Sequence, residues 1–584
     1  MNPSDPFTLR DLVPARHPLS ALLPMAERMT GLRHLARLYR DLPPSADSHE
    51  FLRRVVSLFG LDIRGAGFEE IPRVGGAVLV ANHPFGGMDG VVLAHQLLGL
   101  RPDVKVLTTR FLQRIPELAE MFIGVDNFGG PAECNAAPLR EAVRWVRRGG
   151  LLVVFPAGEV AHYRARCRGV VELAWQPSVG RLLKLSGAAA IPVRFDGGNS
   201  RLFQAAGLLH PRLRTLLLAQ EFIKKKGARI DLRVGRVVPP EYLAGLSPEA
   251  AIGYLRMAND ALAEASTAPA VETARLEPVA DPMPADALAK EVALLPAVSR
   301  LASQGGLVVY QAEARQIPLL MQEIGRLREI TFRATGEGTG RSRDIDLYDS
   351  YYHHLFIWSE EKGDVVGAYR LGLADEIHRR FGRRGLYTHS LFRYRRRLLA
   401  EMGPSIELGR SFVRAEYQRS YLPLLLLWKG IGHFVAQHPR YPVLFGPVSI
   451  SADYSTVSRE LLVSFLRANC SDAGLTRHVR PRRPFRSTRR NLPAAFTDDP
   501  EQASALIARI ERDNKGMPVL LRQYLKLGGR ILGFNVDADF ADALDGLIMV
   551  DLRHTDPKTL ARYMGRPGAD AFAAYHTAAE RLAC

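Results

Sequence analysis

A chain of 584 residues is too long for one hydrophobic core, so two or three domains are expected, and a composition of 47% hydrophobic and 24% charged residues is that of a folded soluble protein. Lys plus Arg outnumber Asp plus Glu by 78 to 61, and the net charge of +17 calls for a negatively charged partner: nucleic acid, an anionic membrane surface or an acidic carrier protein. Cys134, Cys167, Cys470 and Cys584 form no CxxC or disulfide-rich pattern, no apolar run reaches membrane-spanning length, and the start "MNPSDPFTLRDLV" lacks the order of a secretion signal, so a reducing cytoplasm is expected.

Residues 1–60 carry helical periodicity in "LLPMAERMTGLRHLARLYRDL" and "EFLRRVVSLFG", separated by the Pro-Pro of "DLPPSADS", and read as a helical lead-in. Over 61–246 the short apolar runs "AVLVA", "VKVLTT", "LLVVF", "AAAIPVRF" and "IDLRVGRVV" alternate with helical stretches, the rhythm of a mostly parallel α/β sheet. Residues 247–300 read as a helix and an Ala/Pro-rich linker, since the composition from Ala265 to Pro296 loses its aromatics. The second domain, 301–584, opens with the strand "LVVYQA", a helix from Ile317 to Phe332, and "HHLFIWS" and "DVVGAYRLG" flanking the turn "EEKG" as a hairpin. Strands "SIELGRSFV", "YPVLFGPVSI", "GRILGFNVD" and "GLIMVDL" complete a mixed α/β pattern. The longest apolar stretch, "YLPLLLLWKGIGHF", is broken by Lys429 and His433 and reads as a buried helix.

The first chemical signal is "VLVANHPFGGMDG". An imidazole takes the proton from a hydroxyl as its oxygen attacks a thioester, and a carboxylate on the other ring nitrogen fixes the tautomer. His83 and Asp89 are candidates for that pair, with Asn82 beside the histidine and Gly86 and Gly87 allowing a tight turn and close approach of substrate. Alone, a histidine at a strand end is more often a hydrogen-bonded, partly buried residue. The ordered segments "FIGVDNFGG", "LLVVFPAGEV" and "AAAIPVRF" change the balance. With them the region from Leu61 to Pro240 resembles the lysophospholipid, or glycerolipid, acyltransferase family, which has an NHxxxxD box, an FPEGxxS-type box and a (V/I)P(V/I) strand in this order.

The resemblance implies catalysis by His83 and Asp89 and substrate contacts at Asn82, Gly86, Gly87, Phe155, Pro156, Gly158 and Glu159. Five residues separate His83 from Asp89 where the family has four, and the acid of the second box, Glu159, falls two places late. Ala161 and His162 stand where the family's phosphate-binding arginine is expected, with Arg164, Arg166 and Arg168 nearby, and Asp126 and Asn127 stand where another arginine is usual. An acceptor hydroxyl on something other than a phosphate monoester follows. The segment from Arg201 to Arg229, apolar runs ending in Lys224, Lys225 and Lys226, reads either as a membrane-surface element or as a core helix with a solvated basic end.

In the second domain Arg328, Asp346, Asp349, Arg370, Glu407 and Arg410 are individually surface charges or salt bridges. As an ordered series, with "ELGRSFV" and "LFGPVSIS", the region from Leu307 to Leu552 resembles the acyl-homoserine-lactone synthase branch of the GNAT-like fold and the N-acyltransferases that make amino-acid-containing lipids. The resemblance implies an acyl carrier protein thioester as donor and no bound cofactor. Glu407 is the candidate base or amine-orienting carboxylate, and the other five shape the site or hold the amino acid. "VRAEYQRSYLP" has no glycine where a coenzyme A enzyme carries its pyrophosphate-cradling turn, which favours the carrier protein. The basic clusters "HRRFGRR", "FRYRRR" and "RHVRPRRPFRSTRR" complement an acidic carrier.

Together these imply a bifunctional ornithine-lipid-type synthase with no metal, peripheral to the inner membrane. Its C-terminal domain N-acylates an amino acid, ornithine first, and its N-terminal domain O-acylates the resulting lyso-lipid. One alternative is a lysophospholipid acyltransferase whose GNAT-like half docks or regulates. The remote alternative is a basic nucleic-acid or membrane-binding protein, and no helix-turn-helix, zinc-finger or RNP motif supports the former.

Overall fold

A computed structural model describes residues 7, 27–125, 135–164, 169–209, 211–264, 276–487, 497–540 and 542–583. The chain divides into two compact units, residues 1–268 with 495–516, and residues 269–494 with 517–584.

The first unit is built on β1 (Asp62–Ala66), β2 (Ala77–Ala81), β3 (Val104–Thr109), β4 (Phe122–Val125), β5 (Leu151–Val154), a small hairpin of β6 (His162–Arg164) and β7 (Gly169–Val171), β8 (Ala189–Phe195) and β9 (Arg229–Val234). The main sheet runs in the order β1-β9-β8-β2-β5-β3-β4. Every neighbour pair in it is parallel except β8 with β9. The central strands β2 and β5 are buried along their whole length, as a parallel sheet covered on both faces requires.

Helix α1 (Ser48–Phe59) is capped by the Asp47 side chain, which accepts from Glu50 N, and packs on α2 (Gly87–Leu98). Helix α3 (Pro177–Ser186) packs on α4 (Pro248–Glu264), which in turn lies against β8. A helix from far along the chain, Pro500–Ile510, belongs to this unit. The hydroxyl of Tyr254 donates to Leu506 O at 2.9 Å, and Arg236 donates to Arg512 O at 2.7 Å.

The second unit carries β10 (Arg300–Gln304), β11 (Leu307–Glu313), β12 (His353–Ser359), β13 (Asp364–Leu373), β14 (Phe392–Tyr394), β15 (Ser405–Val413), β16 (Val443–Ile450), β17 (Val479–Pro481), β18 (Arg530–Asp537) and β19 (Ala543–Asp551). Eight of these form one sheet, β10-β11-β12-β13-β15-β16-β19-β18, and β14 pairs with β17 apart from it. Within that sheet only β15 and β16 are parallel, and their pairing is confined to Ser405–Glu407 against Val443–Phe445. Beyond Glu407 the two strands part.

The helix α5 (Pro318–Ala334) packs one apolar side through Leu320, Ile324 and Leu327 against Phe356, Val365 and Phe412. The apolar stretch around Leu425 forms α6 (Leu422–Gln437), a buried helix against the sheet, and among the described residues no helix is long and apolar enough to cross a membrane.

Leu506 is fully buried. Leu506→Ala should cost about 2–5 kcal/mol. Limited proteolysis should then digest the first unit ahead of the second.

Candidate active sites

In the first unit β2 ends at Ala81, and the next side chain extends its pairing. Asn82 Nδ2 donates to Phe195 O at 2.9 Å, while Phe195 N donates to Asn82 Oδ1 at 2.7 Å. Asn82 therefore clips the end of β2 to β8 and aims the following residue. His83 Nδ1 lies 2.9 Å from Asp89 Oδ2, with its N–H direction off the line between them. The ring is partly exposed, at 19%, whereas Asp89 is fully buried in the first turn of α2.

Burial of a carboxylate demands donors. Asp89 Oδ2 accepts from Phe85 N at 2.9 Å and Gly86 N at 3.0 Å, so the carboxylate fixes the turn that leads back to itself. Gly86 has φ 89° and ψ −132°, a backbone region disfavoured for residues with a side chain.

Around the pair, the Phe155 ring lies 4.5 Å from the imidazole, centroid to centroid. Pro156 O accepts from Gln176 N at 3.0 Å, and Gly158, at φ 68°, turns the chain after β5. Glu159 pairs with Arg214 at 2.7 Å. Gly87 starts α2, its Cα facing Phe222 closely enough that a Cβ would sit 3.5 Å from that ring.

Sequence reasoning missed Glu172. Its Oε1 accepts from His83 N at 2.7 Å and its Oε2 from Trp175 Nε1 at 2.9 Å, and burial pushes its carboxyl above the ordinary range. Nothing in "VVELAW" marks it as a site residue, because the His83 amide it accepts from lies 89 residues away in sequence.

Of the arginines near this site Arg164 is exposed, while Arg166 and Arg168, like Asp126 and Asn127, lie outside the described residues. The segment after Arg201 breaks into helices Arg201–Leu209, Pro211–Leu216 and Leu218–Ile223, with Leu202, Leu208 and Leu216 exposed. Lys224 pairs with Glu221, and Lys225 sits over the Phe85 ring at 4.1 Å.

In the second unit Arg328, Arg370, Asp346, Asp349 and Arg410 come together. Arg328 Nη1 donates to Asp349 Oδ1 at 2.8 Å, and Arg370 Nη1 donates to Asp346 Oδ1 at 2.6 Å and Asp349 Oδ1 at 3.1 Å. Arg410, at φ 50°, lies 3.1 Å from Asp344 and 3.6 Å from Asp346. Burial alone would raise Asp349, but the guanidinium groups of Arg328 and Arg370 hold it far below the usual carboxylate range. Tyr348, Tyr352 and Tyr387 present ring faces to Arg370 at 5.6, 5.2 and 5.1 Å.

Glu407 stands beside this network, 1% exposed, with its carboxyl raised by burial. Its Oε1 accepts from Thr388 N at 2.7 Å and from the Thr388 hydroxyl, and its Oε2 accepts from Tyr387 N at 3.0 Å and from the Tyr352 hydroxyl. An amine would have to displace one of these four donors to reach it. Asp344, Tyr352, Tyr387 and Thr388 were not singled out from the sequence, because none stands in a recognisable spacing.

Comparison with known proteins gives two domains. The Acyltransferase family profile matches residues 24–245, and the Acetyltransferase (GNAT) domain profile matches residues 327–428. The chain is 31% identical over 270 residues to "Glycine N(alpha)-acyltransferase" of Bacteroides thetaiotaomicron, covering 43% of this chain and 79% of the relative. It is 25% identical over 203 residues to "Lyso-glycine lipid O-acyltransferase" of Phocaeicola vulgatus, covering 32% and 69%. It is 28% identical over 247 residues to "L-ornithine N(alpha)-acyltransferase" of Agrobacterium fabrum, covering 41% and 78%. The mixed α/β fold expected from the sequence, an acyltransferase domain followed by a GNAT domain, is thereby established, as is acyl transfer as the class of reaction.

Asp349→Ala would leave Arg328 and Arg370 buried beside a lost charge and should cost about 3–5 kcal/mol, read as a lower urea midpoint. Asp89→Asn keeps the shape of the turn but removes the charge facing His83. It should lower kcat of the first site by about 10²–10⁴-fold with KM little changed.

Proposed function

Because the chain belongs to the N(α)-acyltransferase family represented by the glycine enzyme of Bacteroides thetaiotaomicron, and carries an acyltransferase domain at 24–245 beside its GNAT domain, we propose that it builds an amino-acid-containing membrane lipid by two successive acyl transfers. The second unit transfers a 3-hydroxyacyl group from an acyl carrier protein thioester to the α-amino group of an amino acid. The first unit then esterifies the new hydroxyl with a second acyl chain. Chemistry fixes this order, since the hydroxyl acceptor arrives with the first product.

The observation that carries the reading is the His83–Asp89 pair, 2.9 Å apart, on the same chain as a GNAT domain. With Nδ1 turned to Asp89, the other ring nitrogen is available to the acceptor. It takes the hydroxyl proton as the oxygen attacks the thioester carbonyl, the C–S bond breaks on collapse, and the thiolate recovers the proton from the imidazolium. Asp89 steadies the cation in between. Glu407, engaged with four donors, acts as a positioning carboxylate for the Tyr387–Thr388 turn beside Arg370.

Exposed Leu202 and Leu208 beside a lysine-bearing segment support peripheral attachment to an anionic bilayer. Exposed arginines in "HRRFGRR" and "FRYRRR", Arg379, Arg380, Arg393, Arg395, Arg396 and Arg397, support docking of an acidic carrier protein.

The test is lipid mass spectrometry of a non-producing host. Wild type should yield a diacylated aminolipid, and His83→Ala should accumulate the mono-acylated amide. Diacyl product from the histidine variant would refute the assignment of the first site.

A further inference from the structure

The backbone of His83 is gripped on both sides by the hairpin of β6 and β7. Its carbonyl accepts from Ala161 N at 2.9 Å, and its N–H donates to Glu172 Oε1 at 2.7 Å. Pairing in the hairpin ends with His162 opposite Val171, so Ala161 and Glu172 are the residues that continue it at its open end. One supplies a main-chain donor and the other a side-chain acceptor. Holding both peptide planes that flank a residue fixes its φ and ψ, and with them the direction of its Cα–Cβ bond. Asp89 and the Phe155 ring then have only the rotation of the imidazole left to set.

Glu172 suits this place because both of its oxygens accept. Oε1 takes the His83 N–H, and Oε2 takes the Trp175 indole N–H at 2.9 Å. A glutamine would turn a donor toward one of these two donors. The side chain is 10% exposed, and its countercharge is Arg256 of α4, whose Nη2 lies 3.8 Å from Oε2. Arg256 is itself anchored, since its Nη1 donates to Leu173 O and its guanidinium lies 5.7 Å from the Trp175 ring centre. Burial raises the carboxyl, and Arg256, the indole N–H and the His83 amide act against that.

We propose that Glu172 is a positioning residue for the O-acyl transfer: its carboxylate holds the main chain of His83, so that the ring keeps Nδ1 toward Asp89 and its other nitrogen toward the acceptor hydroxyl. The inference rests on the reading of His83 as the base of the first site. Glu172 touches no reacting atom in this scheme. It acts through His83, and the chemistry is sensitive to it because a shift of about 1 Å in a catalytic group costs about 10²-fold in rate.

The experiment uses the full-length chain, a palmitoyl carrier-protein thioester as donor, and N-(3-hydroxypalmitoyl)glycine and N-(3-hydroxypalmitoyl)ornithine as acceptors, with ester formation followed by mass spectrometry. Glu172→Ala should lower kcat by about 10²-fold with KM little changed. Glu172→Gln should also be slow, because its amide must serve two donors with a single acceptor oxygen. Adding Trp175→Phe to Glu172→Gln removes the competing donor and leaves that oxygen to the His83 N–H, so the double variant should regain most of the lost kcat. Trp175→Phe alone should stay close to wild type.

Thermal unfolding of each variant separates this role from simple packing. A structural acid would lower Tm and leave kcat of the folded protein unchanged, and that result for Glu172→Ala would overturn the proposal. A double variant as slow as Glu172→Gln, or a Glu172→Ala effect confined to KM, would overturn it too. Wild-type rates from His83→Ala would instead overturn the reading of the first site, and the positioning role with it.

Discussion

A carboxylate taken out of water must find donors, and the placement of the first site follows from how Asp89 finds them. Two of its three close neighbours are backbone amides, Phe85 N and Gly86 N, from the turn that carries the chain from β2 into α2. The third is the His83 ring. Folding of that turn and orientation of the imidazole are thus one event: a turn that satisfied its amides elsewhere would leave Asp89 without compensation. Asn82 holds the other end, pinning the strand from which His83 emerges to β8. The second unit solves the same problem with Glu407, which gathers the amides of Tyr387 and Thr388 and two hydroxyls. In each unit a buried acid organises a turn at the edge of the chemistry.

Much of the fold was legible because its strands are short apolar runs between turn residues, and β2, β5, β8 and β9 stand where those runs fall. Two strands gave no such signal. β1, "DIRGA", is mostly exposed and is held as an edge strand by β9 rather than by its own hydrophobicity. β10, "RLASQ", is as polar, and it pairs with β11 through Gly305 and Gly306, both at positive φ. That Gly-Gly pair is a hairpin signature, so the information was present in the turn and absent from the strand. The helix Pro500–Ile510 belongs to the first unit through contacts such as Tyr254 with Leu506 that no local pattern encodes.

The sites were legible to different depths for a physical reason. His83 and Asp89 lie in one short segment, so spacing bears on their geometry. The arginine network is assembled from α5, the segment before β12, β13 and β15, and charge type alone does not say which aspartate meets which arginine. The more telling signal was an acid out of place: β19, "ALDGLIMVD", is buried through Val550, and Asp545 interrupts it. An ionisable side chain inside an otherwise apolar strand has to be compensated by partners, and the Ser449 hydroxyl supplies one to Asp545 at 2.8 Å.

Charge compensation also bears on what the first site accepts. Arg214, buried and near the second box, is already paired with Glu159, and Lys224 with Glu221. A phosphate monoester brings close to two negative charges and competes for such cations only by displacing a carboxylate that is covalently fixed nearby. A mono-acylated amino acid carries its charges as a zwitterion and makes no such demand. The pairing of these cations within the protein therefore favours the proposed lyso-aminolipid hydroxyl over a glycerol phosphate acceptor.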